Sequence, residues 1–207
     1  MPKEFYRNLF TNQSLYKLTG GIKMKILALL GSPRKKGNTS ILLDQYLKGI
    51  KEANKNIEIT KIYLHEKNIR NCTSCNFCHN INIGQCFIKD DMQELYIKFK
   101  EADMIVFATP IYWWNISAQL KSFIDRIYAL DVGQGYFTNK KVSLLMTYGG
   151  NLLNKGPEIV RISFEEICKY ADMNLIDVYG VCTDEYLKVA ENPKALQDVY
   201  DMGLKIS

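Results

Sequence analysis

Blocks of apolar and polar positions alternate along this chain, and they predict strands and helices in turn. Apolar runs at residues 26–30, 104–108 and 142–146 are short and nearly free of polar residues, which is typical of strands buried on both faces of a parallel sheet. Residues 57–63 alternate at a period of two, which predicts an edge strand, and residues 175–181 form the fifth predicted strand.

The segments between these strands have helical spacing. Helices are predicted at about residues 39–52, 90–102, 116–130 and 157–170, with a last one after Pro193. Strands that alternate with helices imply an α/β sandwich of three layers, in which a five-stranded parallel sheet carries helices on both faces. We expect the strand order 2-1-3-4-5, which places a ligand at the carboxyl ends of strands one, three and four.

Composition narrows the class of protein. At 207 residues, with 47% hydrophobic and 24% charged residues, the chain has the length and balance of one globular domain without a membrane span. The net charge is +5, of which residues 1–23 carry +3 from four basic residues against Glu4. The remainder is too weakly basic to suggest a nucleic-acid partner. Because no signal-peptide pattern is present, we expect a cytoplasmic protein.

Residues 1–23 look like an extension of a domain that spans residues 24–207. Aromatic and leucine residues in the extension have the spacing of a short amphipathic helix, and Gly20 and Gly21 end it before the first strand. Two interpretations are open. The extension is an arm that packs on a partner subunit, or translation begins at Met24 and the extension is not native.

The loop after the first predicted strand has the chemistry of an anion site. Residues 31–40 read GSPRKKGNTS and join a strand end to a helix start, where backbone N–H groups and the helix dipole favour negative charge. Their spacing excludes a Walker A loop and the dinucleotide motif G-x-G-x-x-G. The side-chain donors, which suit a terminal phosphate monoester, are Ser32, Arg34, Asn38, Thr39 and Ser40. Asn38, Thr39 and Ser40 are also helix-capping types, and a basic surface loop that only caps the helix is the alternative.

The loops after the third and fourth strands add partners for a flat, mostly apolar group. The first of them holds both tryptophans of the chain, and its candidate residues are Pro110, Ile111, Tyr112, Trp113 and Trp114. The second offers a hydroxyl, an aromatic ring and a residue that lets backbone approach a ligand closely, namely Thr147, Tyr148 and Gly149. For the tryptophans, a cover over the sheet end or an oligomer interface is the alternative.

Four cysteines lie close together between the second strand and the following helix. Cys72, Cys75 and Cys78 have the C-x2-C-x2-C spacing with which bacterial ferredoxins supply three ligands of a [4Fe–4S] cluster, and Cys86 would be the fourth. Free or redox-active thiols are a second interpretation. Zinc is a third, although its usual spacing is two well-separated C-x2-C pairs.

Three stretches together resemble the flavodoxin-like NAD(P)H-dependent FMN reductase family, including its iron–sulfur flavoprotein branch. They are GSPRKKGNTS at 31–40, the cysteine group with IKDDM at 88–92, and ADMIVFATPIYWWNISAQLKSFIDR at 102–126. They cover most of residues 24–150, whereas residues 151–207 match only in their pattern of strands and helices. The resemblance implies a flavodoxin-like fold that binds FMN.

By this resemblance, the five donors of the first loop would hold the FMN phosphate. Residues 110–114 would contact the isoalloxazine and ribityl groups, with residues 147–149 on the far side. Electrons would pass from NAD(P)H through FMN to a small acceptor such as a quinone, a nitro compound or a flavin, and no catalytic side chain is required.

The resemblance also implies a homodimer or homotetramer, and a structural pair formed by Asp125 and Arg126. The alternative function is an electron carrier, in which FMN and a [4Fe–4S] cluster on the four cysteines exchange electrons with a redox protein.

Overall fold

Five parallel strands form the sheet, and their order β2-β1-β3-β4-β5 confirms the predicted one. The computed structural model describes residues 23–81, 83–150, 154–184 and 188–206. The strands are β1 (Met24–Leu30), β2 (Ile57–Tyr63), β3 (Met104–Pro110), β4 (Lys141–Tyr148) and β5 (Asn174–Cys182). Every residue of β3 is buried, as expected of a central strand.

Helices cover both faces of the sheet. They are α1 (Asn38–Ala53), α2 (Phe77–Asn80), α3 (Met92–Glu101), α4 (Ala118–Ile127), α5 (Gly156–Tyr170) and α6 (Pro193–Leu204). The helix predicted for residues 116–130 is shorter than expected, because its last three residues form a separate 3-10 turn, Tyr128–Leu130. Within the described ranges, no helix is long and apolar enough to span a membrane. The predicted N-terminal extension lies outside the described residues except for Lys23.

The two faces of the sheet carry separate cores, and the strand period decides which residue enters which. Leu27 and Leu29 of β1 pack with the residues of α3, α4 and α5. Their neighbours Ala28 and Leu30 pack on the opposite side with α1 and α6. Because successive side chains of a strand point to opposite faces, an unbroken apolar run is the pattern that a two-sided core requires.

Helices α1 and α6 touch through two glycines. A Cβ atom at Gly49 would lie 2.2 Å from the backbone oxygen of Tyr200, and one at Gly203 would lie 2.3 Å from the backbone oxygen of Tyr46. Both distances are far inside van der Waals contact, so neither position has room for a side chain. This contact fixes α6, the last described helix, against the helix that follows β1.

Replacing Gly49 by alanine is therefore expected to destabilise the fold. Alanine favours helix by about 1 kcal/mol over glycine, but the clash with α6 should reverse the sign and lower the free energy of unfolding by about 1–3 kcal/mol. Urea denaturation measures this change. Gly180→Ala in β5 is the control, since its Cβ would meet its nearest neighbour, Tyr148, at an ordinary 3.5 Å. A Gly49→Ala protein as stable as the control would contradict the close packing.

Candidate functional site

The first loop leads into a helix start that no side chain caps. The N-cap of α1 is Gly37, so the prediction that Asn38, Thr39 or Ser40 caps this helix is wrong. Asn38 instead accepts a hydrogen bond from the backbone N–H of Val189 through its Oδ1, at 3.2 Å. An uncapped start to a 16-residue helix leaves the positive end of the helix dipole and its first N–H groups to an anion.

A polar cavity of about 150 Å³ lies beside this helix start, at the carboxyl ends of β3, β4 and β5. It is lined by Ser32, Arg34, Gly37, Asn38, Thr39, Pro110, Ile111, Tyr112, Thr147, Tyr148, Gly149 and Thr183. The structure thus brings together all of the predicted loop residues except Ser40, Trp113 and Trp114. Thr183 follows β5, whose end was not among the predicted ligand loops, and nothing in the sequence singled it out.

Ser40 turns away from this cavity. Its hydroxyl lies 3.5 Å from Asp44 Oδ2 and accepts a hydrogen bond from the Lys61 ammonium at 3.2 Å. Lys61 in turn pairs with Asp44 at 2.6 Å. The Ser40 side chain therefore belongs to a contact between α1 and β2.

The two tryptophans line a neighbouring cavity of about 300 Å³. Ile111 and Gly149 are shared by both cavities, and Asn154 completes the described lining of the second. Trp113 is 90% exposed and Trp114 is 52% exposed. A polar cavity with hydrogen-bond donors thus adjoins a second cavity that is lined by two tryptophans.

A strained turn holds the tryptophans there. Tyr112 and Asn115 exchange two backbone hydrogen bonds, at 2.9 and 3.0 Å, around a two-residue turn. Its central residues, Trp113 and Trp114, have φ of 48° and 58°. Left-handed backbone costs a non-glycine residue roughly 1–2 kcal/mol, and such strain clusters at functional sites.

Buried hydroxyls tie the walls of the polar cavity together. The hydroxyls of Thr39 and Thr147 share a hydrogen bond of 2.7 Å, which joins α1 to the end of β4. Burial raises the pKa of Tyr148, with a smaller contribution from the charge of Cys182, so its phenol stays protonated at neutral pH. Arg34 is exposed at the mouth, where its guanidinium is the charged group of the described lining.

A cavity larger than these two lies elsewhere in the fold. It measures about 610 Å³, lies mainly between α4 and α5, and includes Cys72 and Ser74 at its edge. Its lining is mostly apolar, and neither a strand end nor the start of a long helix opens into it. By volume alone, this groove would be chosen as the ligand site. The hydrogen-bond donors that an anionic ligand requires, however, line the polar cavity.

The four cysteines occupy unequal positions on one loop. Cys72 and Cys75 are exposed, Cys86 is half-buried and Cys78 is buried. Burial raises the pKa of Cys78, and the charges of the other three thiols raise it further. A hydrogen bond from the backbone N–H of Phe77 lowers the pKa of Cys75. Across the described ranges, no group of three or more His, Cys, Asp or Glu side chains is arranged to hold a metal ion.

A buried ion pair closes the base of this loop. The guanidinium of Arg126 donates to both carboxylate oxygens of Asp90, at 2.7 and 3.1 Å, and the two side chains are 1% and 0% exposed. Arg126 also donates to the backbone oxygens of Arg70, at 2.7 Å, and Ile88, at 3.5 Å. Burial alone would raise the pKa of Asp90, but hydrogen bonds from Arg126 and from the N–H groups of Arg70 and Met92 outweigh it and lower that pKa.

The sequence pointed to a different partner for Arg126. Asp125 stands next to it, but the Asp125 side chain is exposed and pairs with Lys121 one turn earlier on α4, at 2.5 Å. The structural pair is therefore Arg126 with Asp90, which is 36 residues away. Asp91 holds the N-cap position of α3, but its carboxylate accepts from the N–H of Asn68, while Asp90 accepts from the N–H of Met92.

Comparison with known proteins indicates the family and the fold. The family model described as NADPH-dependent FMN reductase matches residues 24–186. An iron–sulfur flavoprotein of Archaeoglobus fulgidus is 42% identical over 104 residues, which is 50% of this chain and 46% of that protein. An iron–sulfur flavoprotein of Methanocaldococcus jannaschii is 41% identical over 110 residues, 53% of this chain and 55% of that protein. The chain spans about half the length of these curated relatives.

Solved structures share the fold. The NAD(P)H:quinone oxidoreductase from Methanothermobacter marburgensis has a TM-score of 0.68 at 14% identity and covers 90% of this chain and 100% of its own. The Trp repressor binding protein from Bacillus subtilis has a TM-score of 0.62 at 23% identity. The match covers 85% of this chain and 98% of that one. At such identities the likeness concerns the fold alone.

The buried ion pair predicts a specific dependence of stability on pH. Because the pKa of Asp90 is lower in the folded chain than in the unfolded one, the pair stabilises the fold above the ordinary Asp range and loses its effect as the pH falls through the folded pKa. Asp90→Asn should lower the free energy of unfolding by about 3–5 kcal/mol at neutral pH. This loss should shrink at an acid pH below the ordinary range of an aspartate, as the pH falls through the lowered pKa of the folded carboxylate.

Urea denaturation at both pH values measures the difference. Asp125→Asn is the matched control, because its exposed pair with Lys121 should contribute only about 0–1 kcal/mol. Equal losses for the two variants, or a loss for Asp90→Asn that does not change with pH, would show that the buried pair does not act as described.

Proposed function

This chain belongs to the NADPH-dependent FMN reductase family, and we propose that it is an FMN-dependent oxidoreductase that takes electrons from NAD(P)H. The acceptor would be a small molecule such as a quinone, a nitro compound or a free flavin. The observation that carries the proposal is the polar cavity at the uncapped start of α1, which adjoins the tryptophan-lined cavity through Ile111 and Gly149.

The residues around the polar cavity fit a phosphate monoester. The start of α1 offers backbone N–H groups without a competing side-chain cap. Ser32 and Thr39 add hydroxyls, Asn38 adds an amide, and Arg34 adds a positive charge at the mouth. The Ser40 hydroxyl is engaged with Lys61 and would not take part through its side chain.

The neighbouring residues fit a flat ring. Tyr112 and the two tryptophans provide aromatic surface, and Pro110 and Ile111 provide apolar contacts on the same side. Across the cavity, Thr147, Tyr148 and Gly149 would line the other side. Among the described residues of both cavities, Arg34 is the charged one, and the FMN phosphate would engage it. The rest of the lining is uncharged, which favours a neutral acceptor.

Bound FMN would supply the redox chemistry, by accepting a hydride from NAD(P)H and returning electrons to the acceptor. The chain's own residues would bind, orient and shield it. The protonated phenol of Tyr148 offers a neutral hydrogen-bond donor beside the ring, and the tryptophans would exclude water from one face. In this proposal, no side chain acts as a catalytic acid or base.

A second candidate function is an electron carrier that holds a [4Fe–4S] cluster besides FMN. The relatives from A. fulgidus and M. jannaschii are named iron–sulfur flavoproteins, and Cys72, Cys75, Cys78 and Cys86 supply four thiols on one loop. The donor set fits a cluster in kind and in number, but the described residues do not gather around one point. A redox protein would then replace the small acceptor.

We also propose that the chain acts as a homodimer or homotetramer in the cytoplasm. A tryptophan with 90% exposure, Trp113, at the edge of the site is the kind of residue that a subunit interface covers. All six cysteines are free thiols, as is usual in a reducing compartment.

Removing the charge at the mouth of the polar cavity tests the phosphate site. Arg34→Ala should weaken FMN binding by about 1.5–3 kcal/mol, because a charge-assisted contact to phosphate is lost. Fluorescence titration of the flavin-free protein with FMN measures the change. Lys36→Ala is the control, since Lys36 is an exposed cation of the same loop that does not line the cavity. Equal affinity in Arg34→Ala and wild type would remove this loop from the FMN site.

The visible spectrum of protein purified without oxygen, with iron and sulfide assayed on the same sample, separates the two functions. The reductase predicts flavin bands that NADPH or NADH bleaches and that a quinone restores. About four irons per chain, with broad absorption under the flavin bands, would favour the electron carrier. A colourless protein that does not take up FMN would overturn both.

A further inference from the structure

The apolar cavity of about 610 Å³ between α4 and α5, here called the α4–α5 groove, has no part in the proposed function. Its apolar lining includes Ile124, Ile127 and Ile167 of the two helices. Two tyrosines of the lining also face solvent, because Tyr128 is 46% exposed and Tyr170 is 78% exposed. Contiguous apolar surface of this kind marks a place that another group covers.

The charges along the groove are of one sign. Its described lining contains the carboxylates of Asp125, Asp131 and Glu166, and it contains no lysine, arginine or histidine. Asp125 pairs with Lys121, and Asp131 accepts a hydrogen bond from the Tyr170 hydroxyl at 2.8 Å. Glu166 is exposed and takes part in no ion pair within the described part of the chain. A group that fits this groove should therefore combine apolar surface with positive charge.

The groove reaches the edge of the sheet at which the strands begin. Asp131 belongs to the connection that leads into β4, and Ala171 belongs to the one that leads into β5. The start of β1 lies at the same edge. Asp103 joins the two, because its backbone oxygen accepts from the N–H of Lys141 in β4 at 3.0 Å and its carboxylate accepts from the N–H of Lys25 in β1 at 2.8 Å.

Residues 1–22, which precede β1 and lie outside the described residues, have a sequence with both properties. Phe5 with Leu9, and Tyr6 with Phe10, form apolar pairs at a spacing of four residues. Three basic residues stand against one acidic residue, which gives a net charge of +2. An amphipathic helix that lays its apolar face in an apolar groove is a common mode of recognition.

The start of β1 is near enough to the groove for both to belong to one chain. In the sheet, β1 and β4 are separated by two strand spacings, which amount to about 10 Å. Five residues of extended chain, 18–22, span about 17 Å. The apolar pairs of the extension can therefore reach the groove while Lys23 stays at the start of β1.

We propose that residues 1–19 dock in the α4–α5 groove of their own chain. The aromatic face of the segment packs against Tyr128, Ile167 and Tyr170, and its basic residues lie beside the three carboxylates. Cys72 and Ser74 bring the cysteine loop, residues 71–87, to the edge of the groove, so the docked segment also contacts that loop.

This inference goes beyond the proposed function, because the groove shares no described lining residue with the two cavities at the strand ends. It concerns what the first 19 residues do. Their place in the fold is then a surface of the same chain rather than a partner subunit.

Photo-cross-linking of the full chain locates the extension directly. A benzophenone amino acid in place of Phe10 should form adducts with peptides of α4 and α5, identified by mass spectrometry. When ¹⁵N-labelled and unlabelled proteins are mixed, docking within one chain gives adducts of a single isotope. Adducts between labelled and unlabelled chains would assign the groove to the extension of a second copy, and adducts elsewhere would leave the groove to another occupant. Either result would overturn the proposal.

Reversing the charge of one groove residue supplies a matched pair of variants. Glu166→Lys should speed tryptic cleavage after Arg7 and Lys17 about 3–10-fold, because an attraction is lost and a repulsion is added. Glu165→Lys is the control. Glu165 is the preceding residue of α5, but it pairs with Arg161 and does not line the groove, so cleavage should stay at the wild-type rate.

Two outcomes of the cleavage experiment contradict the docking. They are equal rates in the two variants, and a wild-type extension that is cleaved as fast as a free peptide of the same sequence. FMN uptake by the same proteins reports the reductase separately. Both variants should bind FMN as the wild type does, and a protein that takes up no FMN would count against the proposed function while the cleavage and cross-linking results stand.

Discussion

The position of β1 between β2 and β3 is the constraint on which the site depends. After β1 the chain turns to α1 on one face of the sheet, and after β3 it turns to α4 on the other. Two loops that leave in opposite directions open a crevice between them. Gly31 allows their close approach: its N–H donates to the Ala108 oxygen at 2.8 Å, and a Cβ there would lie 2.6 Å from Ser117 Oγ.

Much of this arrangement could be predicted from the sequence, because the two kinds of strand have different patterns. A strand buried on both faces has an unbroken apolar run, whereas a strand buried on one face alternates apolar and polar residues. The strand order and most of the cavity lining follow from those patterns and from the rule that parallel strands end at one edge. The cap of α1, unlike its position, was predicted wrongly for a physical reason. Capping preferences describe side chains, but the N-cap residue of this helix is Gly37, which has no side chain. The polar residues that follow Gly37 therefore suggested a side-chain cap that the structure does not contain.

Contacts between residues that are far apart in the sequence were also missed. Arg126 follows an aspartate, yet its partner Asp90 comes from the far side of the cysteine loop. The spacing of the cysteines suggested four ligands of one cluster, whereas in the fold they are unequal, with Cys78 buried and Cys72 and Cys75 exposed. Pairings between distant residues depend on how α3 and α4 pack, and no local pattern records that packing.

The turn at Trp113 and Trp114 has a consequence for anyone who wishes to engineer this protein. Turns with positive φ at both central positions are most stable with asparagine and glycine, so a search for thermostable variants would tend to replace the two tryptophans first. Such a search would enrich proteins that fold better and have lost the aromatic wall of the site. Selection by heat alone would therefore work against the strained turn that carries the two tryptophans, and these two positions should be held constant in any such library.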